Sequence, residues 1–140
     1  MKKYLLDNGP LVALVKGRPG AEQLMRPWVE HDEAATSILA YGEAIEYFRS
    51  LSDYPDHRSN LRALLQGVTP YRVTYAIMER YADVRRAMRR TVGIIGDVDT
   101  LIAATVLEHN LTVVTLDGDL TRVPGLSVMH FPRMCVDDMS

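Results

Sequence analysis

Five short strand-like runs, separated by segments with helical spacing, constrain this 140-residue chain more than any other feature. "YLL" (4–6), "EAATS" (33–37), "VTPYRV" (68–73, interrupted by Pro70), "LTVVTL" (111–116) and "LSVMHF" (126–131) read as strands. The first intervening helix is "PLVALVKG", closed by Gly17. "PGAEQLMRPWVEHDE" carries Leu24, Trp28 and Val29 at helical spacing, with Pro27 expected to kink or break it. From Ser37, one face of a third helix reads Ile38, Tyr41, Ala44, Ile45 and Phe48. "YPDHRSNLRALLQG", "TYAIMERYADVRRAMRR" and a helix opening at Asp97 or Val98 and ending near Asn110 complete the series. Strands alternating with helices argue an α/β fold with a parallel sheet. With 47% hydrophobic residues, a chain of this length is expected to form one domain with a proper core.

The first junction tests that expectation. In "LLDNGPLVALV", Asn8-Gly9 between apolar runs is a strong hairpin signal. A hairpin needs a second strand pairing straight back, and Pro10 has no N–H to give such a ladder. Proline is favoured at the first position of a helix, with Gly9 or Asn8 acceptable as the N-cap. The junction therefore reads as strand, sharp turn, helix. Asp7 then stands at the carboxyl end of a strand, where active sites of α/β proteins collect.

The remaining acids follow from that placement. Asp117 and Asp119 come after "LTVVTL", Asp97 and Asp99 open the preceding helix, and Glu43 lies on the mostly apolar face of the third helix. Several carboxylates would meet at one end of one sheet. Clustered carboxylates raise one another's pKa unless a cation compensates. Oxygen ligands with few His or Cys nearby select Mg²⁺ or Mn²⁺ over zinc. Such an ion orients water and phosphate and stabilises the charge that develops in phosphodiester cleavage.

Each acid also has an ordinary reading. Asp97 suits a helix N-cap, Asp99 a first turn that favours negative charge, and Asp117-Gly118-Asp119 a plain turn. Glu43 would be costly to bury without a partner, yet a slightly rotated helix would leave it exposed. Their shared placement, rather than any single acid, points to a site.

"YLLDNGPLVAL", "TSILAYGEAIEYF" and "GDVDTLIAATVLEHNLTVVTLDGDLTRVPGLSV" resemble, in order and spacing, the PIN-domain ribonucleases, and specifically VapC-like toxins of type II toxin-antitoxin systems. The resemblance spans nearly the whole chain, with residues 1–132 as the PIN domain and 133–140 as a short C-terminal tail. It implies a PIN-like three-layer fold, a five-stranded parallel sheet flanked by helices, and metal-dependent endonucleolytic cleavage of RNA. It implies Asp7, Glu43, Asp99 and Asp117 as catalytic and metal-holding residues, with Asp97 and Asp119 beside them on Mg²⁺ or Mn²⁺. It further implies a homodimer and a VapB-like antitoxin whose helix is received by the early helices. The family usually follows its first Asp with Thr or Ser and then Asn or Ser; here Asn8 and Gly9 stand there. Asn8 can still orient the carboxylate through its amide, whereas Gly9 offers only backbone. A catalytically weakened module that binds only antitoxin or RNA is therefore the alternative.

Net charge of -2 and a pI near 6.1 give no global field for nucleic acid, so RNA binding would need a local patch. Arg80, Arg85, Arg86, Arg89 and Arg90 crowd one helix, and Lys16 and Arg18 follow the first. Such a run is either a solvated face or a phosphate-gripping one; Arg85, Arg86, Arg89, Arg90 and Lys16 are the candidates for RNA contact. His31, His57, His109 and His130 form no motif, and Trp28, Tyr41, Tyr47 and Phe48 read as core or interface. A single cysteine, Cys135, the lack of a leader-like N-terminus and apolar runs far shorter than the ~20 residues of a bilayer span lead to the expectation of a cytoplasmic protein away from membranes.

Two other phosphoryl chemistries gather acids in this way. "DVDT" faintly resembles the haloacid-dehalogenase phosphatases, and receiver domains also collect acids at sheet ends. Both need a lysine late in the chain, whereas Lys2, Lys3 and Lys16 are the only lysines here.

Overall fold

Side-chain alternation along short strands decides the layers of the fold. The computed structural model describes residues 1–91 and 93–131, so the expected boundary at residue 132, the tail 133–140 and Cys135 lie outside the described residues. β1 (Tyr4–Leu6), β2 (Ala34–Ser37), β3 (Thr69–Tyr71), β4 (Thr112–Thr115) and β5 (Val128–His130) form one parallel sheet in the order β3-β2-β1-β4-β5. Leu5 is in register with Ala35 and Val113, and Leu6 with Thr36 and Val114. Leu5, Ala35 and Val113 face α5 (Tyr75–Arg90) and α6 (Asp97–His109), meeting Val84, Met88, Ile102 and Val106. Leu6, Ala34 and Val114 face the opposite way, against Ala13 and Leu14 of α1 (Asn8–Val15) and Ala21 and Met25 of α2 (Pro19–Glu30). The three central strands, β1, β2 and β4, are buried almost throughout between these layers, whereas the edge strands β3 and β5 are partly exposed.

A third cluster joins α1 to α3 (Ile38–Arg49) and α4 (Tyr54–Leu64) through Leu11, Ala40, Ala44, Phe48 and Leu61, all fully buried. Each large apolar side chain taken out of water here contributes about 1.5–3 kcal/mol. The packing holds α1 and α3 side by side and so fixes the distance between the residues they carry.

Several local expectations are corrected. α1 begins at Asn8 with Asp7 as its N-cap residue, so Pro10 is the third helical residue rather than the first. Nothing is lost, because the N–H groups of a helix's first turn have no intrahelical partner. Pro27 lies inside α2 without ending it; the helix runs on to Glu30, and the His31 N–H donates to the Pro27 carbonyl at 3.0 Å. Ile38 is 43% exposed, and the buried face of α3 is Ala40, Ala44 and Phe48. The loop after β4 contains a 3₁₀ helix, Gly118–Arg122. Among the described residues no helix is long and apolar enough to cross a membrane.

Candidate functional site

The strand order reverses direction beside β1. From β1 the sheet grows one way through β2 and β3, then the chain returns to add β4 and β5 on the other side. Such a switch point opens a crevice at the carboxyl ends of the two central strands. Asp7 follows β1 there, and Asp117 lies two residues beyond β4. A cavity of about 390 Å³ at that edge is lined by Asp7, Glu43, Asp99 and Asp117, together with Asn8, Gly9, Leu116 and Gly118.

Asp7 is held from behind. It is 6% exposed, its N–H donates to the Val114 carbonyl at 3.0 Å, and its Oδ2 accepts from Thr115 Oγ1 at 2.7 Å. The same Thr115 oxygen accepts the Asp117 N–H at 2.9 Å, so one hydroxyl sets both acid-bearing turns. Asp7 Oδ1 is buried with no hydrogen-bond partner. Burial pushes the Asp7 carboxyl above its ordinary range, the Thr115 and Asn8 hydrogen bonds pull it back, and the charge of Asp117 pushes it further up.

Asp99 lies in the first turn of α6, and burial first, then the hydrogen bond and charge of Asp117, raise its carboxyl to about 7; Asp7 and Glu43 add to the shift. Glu43, half-buried on α3, is raised by burial and then by Asp7, Glu46 and Asp117. Asp117 caps the 3₁₀ helix by accepting the Asp119 N–H at 2.9 Å. Asp99, Asp117 and Asp119 can each bring one carboxylate oxygen within 4.8 Å of the others. Four carboxylates around one cavity, one with an orphaned buried oxygen, fit a hard divalent cation: the charge is uncompensated and the donors are all oxygen.

Not every acid of the sequence converges. Asp97 is the first residue of α6, with Gly96 rather than Asp97 at the N-cap, and its largely exposed carboxylate accepts from Arg85 and from the Tyr81 hydroxyl. It does not line the cavity. Two residues apart on a helix means about 200° of rotation, so Asp97 and Asp99 diverge. Because Asp97 opens a helix rather than ending a strand, the paired acids of a haloacid-dehalogenase site are absent from "DVDT". Arg85 is thereby committed to an ion pair, while Arg86, Arg89 and Arg90 lie exposed along the same helix. Lys16, at the end of α1, donates from Nζ to the Tyr47 hydroxyl at 3.0 Å.

Two residues around the site, Thr115 and Leu116, carry no motif in the sequence, whereas Thr36 opens the segment "TSILAYGEAIEYF". Thr115 reads as one more β-branched strand residue, although its position directly before the acid-bearing turn was a usable signal. Thr36, fully buried, donates to the Leu6 carbonyl at 2.7 Å and steadies the end of β1. Leu116 fills the space beside Gly9: a Cβ on residue 9 would lie 2.5 Å from Leu116 Cδ1 and 2.8 Å from Cγ. The glycine is thus matched to the leucine across the crevice.

Comparison with known proteins agrees with this fold. The chain is similar in structure to VapBC2 from Rickettsia felis bound to a promoter DNA fragment, at 20% identity and TM-score 0.79, covering 91% of this chain and 98% of that one. DNA-bound VapBC from Salmonella typhimurium gives 17% identity and TM-score 0.81, with 93% and 98% covered. A toxin-antitoxin complex from Klebsiella pneumoniae gives 22% and 0.70, with 93% and 99% covered. No curated protein matches the sequence. The family model described as the PIN domain matches residues 4–126. That span runs from the first residue of β1 to the loop before β5 and takes in every acid of the cavity, and the chain belongs to the PIN domain family.

Proposed function

We propose that this chain is a VapC-like endoribonuclease, the toxin of a toxin-antitoxin pair, that cleaves RNA phosphodiesters with Mg²⁺ or Mn²⁺. One observation carries the reading: Asp7, Glu43, Asp99 and Asp117, from four separate stretches of the chain, line a single open cavity at the switch point of the sheet. Acids whose carboxyls are pushed upward by burial and by each other store repulsion that a cation would relieve. Asp7, Asp99 and Asp117 would hold the ion, with Asp119 at its outer edge, and Glu43 faces them from α3 as the acid able to accept a proton from water. When bound, Mg²⁺ or Mn²⁺ supplies Lewis acidity toward water and offsets charge on the phosphate. Thr115 keeps the Asp7 carboxylate turned so that Oδ1 is available.

The partners belong to the same reading. Between α1, α2 and α4 a second cavity of about 330 Å³ is lined by Leu14, Val15, Ala63 and Leu64 with Glu22 and Arg26 at its rim, a surface suited to an amphipathic helix of a VapB-like antitoxin. Exposed Val73, Tyr75 and Met78 offer apolar area for a homodimer. The test is cleavage of RNA by the wild type and by Asp7→Asn with Mg²⁺ or Mn²⁺. Cleavage by the wild type, abolished by EDTA and by Asp7→Asn, is expected; equal cleavage by both proteins overturns the reading.

A further inference from the structure

We propose that Tyr47, Glu46 and Lys16 form a nucleotide subsite beside the acids, in which Tyr47 stacks the base next to the scissile phosphate and Glu46 selects guanine. The inference rests on the ribonuclease reading above. A cavity of about 400 Å³ adjoins the acid cavity and shares Asn8 and Glu43 with it; its outer wall is Glu46, Tyr47 and Ser50 on α3. A strand of RNA whose phosphate lies among the acids therefore has its neighbouring nucleotide at this wall.

The wall carries the three chemistries a nucleotide needs. Tyr47 is 41% exposed, in contrast to Phe48, which is fully buried. An exposed ring at the edge of a nucleic-acid groove is a stacking platform for an unpaired base. Its hydroxyl is held at 3.0 Å by Lys16 Nζ, which lies 5.2 Å from the ring centre, and Ser50 Oγ donates to the Tyr47 carbonyl at 2.6 Å. Ring and backbone thus each have a hydrogen-bond partner at this wall. Lys16 is the cation at this edge, placed to meet a backbone phosphate.

Glu46, outside the acid cavity where a cation would offset charge, would repel a phosphate brought against it, so the base rather than the backbone must face it. A carboxylate has two acceptor oxygens and no donor. Guanine presents two adjacent donors, N1–H and the N2 amino group, that match it, whereas uracil presents one donor flanked by carbonyl oxygens that a carboxylate repels. The subsite accordingly favours guanine.

The experiment uses the full-length protein with Ca²⁺ in place of Mg²⁺ or Mn²⁺, so that the acids are charge-compensated while cleavage is slowed, and measures fluorescence anisotropy of labelled single-stranded hexanucleotide RNAs, guanine-rich and uracil-rich. Product mapping with Mn²⁺ is run in parallel. Tyr47→Ala is expected to weaken binding at least about fivefold, since stacking contributes on the order of 1–3 kcal/mol per base; Tyr47→Phe should retain binding. Glu46→Gln should remove the preference for guanine at the position beside the cut. Both residues are at the surface, and circular dichroism melts confirm folding. Wild-type cleavage with unchanged binding in Tyr47→Ala and unchanged base preference in Glu46→Gln overturns the subsite alone. A wild type that neither binds nor cuts RNA overturns both the subsite and the ribonuclease reading.

Discussion

Thr115 donates its hydroxyl proton to the Asp7 carboxylate at 2.7 Å, joining residues 108 positions apart, and accepts the Asp117 N–H through the same oxygen. Thr115→Val removes the side-chain donor to the buried Asp7 carboxylate and leaves it only the backbone contact of Asn8. The expected loss of stability is about 1–3 kcal/mol, with weaker Mn²⁺ binding by calorimetry, and Thr115→Ser should restore both. Unchanged Mn²⁺ affinity in Thr115→Val would contradict the positioning role.

The Asp99 carboxyl rises from 3.8 to about 7 in the folded protein. Between those values the folded chain holds a proton that the unfolded chain has released, so this group's contribution to stability falls as pH rises from about 4 to about 7. Asp7 and Glu43, also raised, act in the same direction. Without divalent cations, the wild type should lose stability relative to Asp99→Asn between pH 5 and pH 7.5 in thermal melts, as the charged acid is more costly than the neutral amide. A gap of the same size at both pH values is the contrary result.

Mg²⁺ or Mn²⁺ at one hundred times its dissociation constant should stabilise the wild type by about 2.7 kcal/mol. The gain should be smaller at pH 5, where protonated acids compete with the ion. Asp99→Asn and Asp117→Asn should lose most of it, whereas Asp97→Asn, changed outside the cavity, should keep it. Differential scanning calorimetry with and without the ion reads all four proteins.

Gly9→Ala brings a Cβ to 2.5 Å from Leu116 Cδ1. The expected destabilisation is about 1–3 kcal/mol, the usual cost of overpacking. Adding Leu116→Ala should relieve it, so that a double-mutant cycle by urea denaturation gives a non-zero coupling energy. Simple additivity of the two changes would show that the contact carries no strain.

Much of this architecture was legible because it rests on local chemistry. Pro10 has no N–H for a hairpin ladder, and short strand-like runs alternate with helical segments, so the parallel sheet and the placement of Asp7 after β1 follow from residue types and spacing. Pro10 stands at the third rather than the first helical position because a first turn has N–H groups to spare, and α2 continues past Pro27 because the packing of Ala21 and Met25 outweighs one missing helical hydrogen bond. What only the tertiary structure decided is direction. It turned Asp99 toward the cavity and Asp97 toward Arg85, brought Thr115 against Asp7, and set Leu116 where a side chain on residue 9 would force it to move. Spacing places two acids on one helix, but the rotation of that helix against the sheet is set by the burial of Ile102, Ala103 and Val106, whose contacts lie far away in the chain.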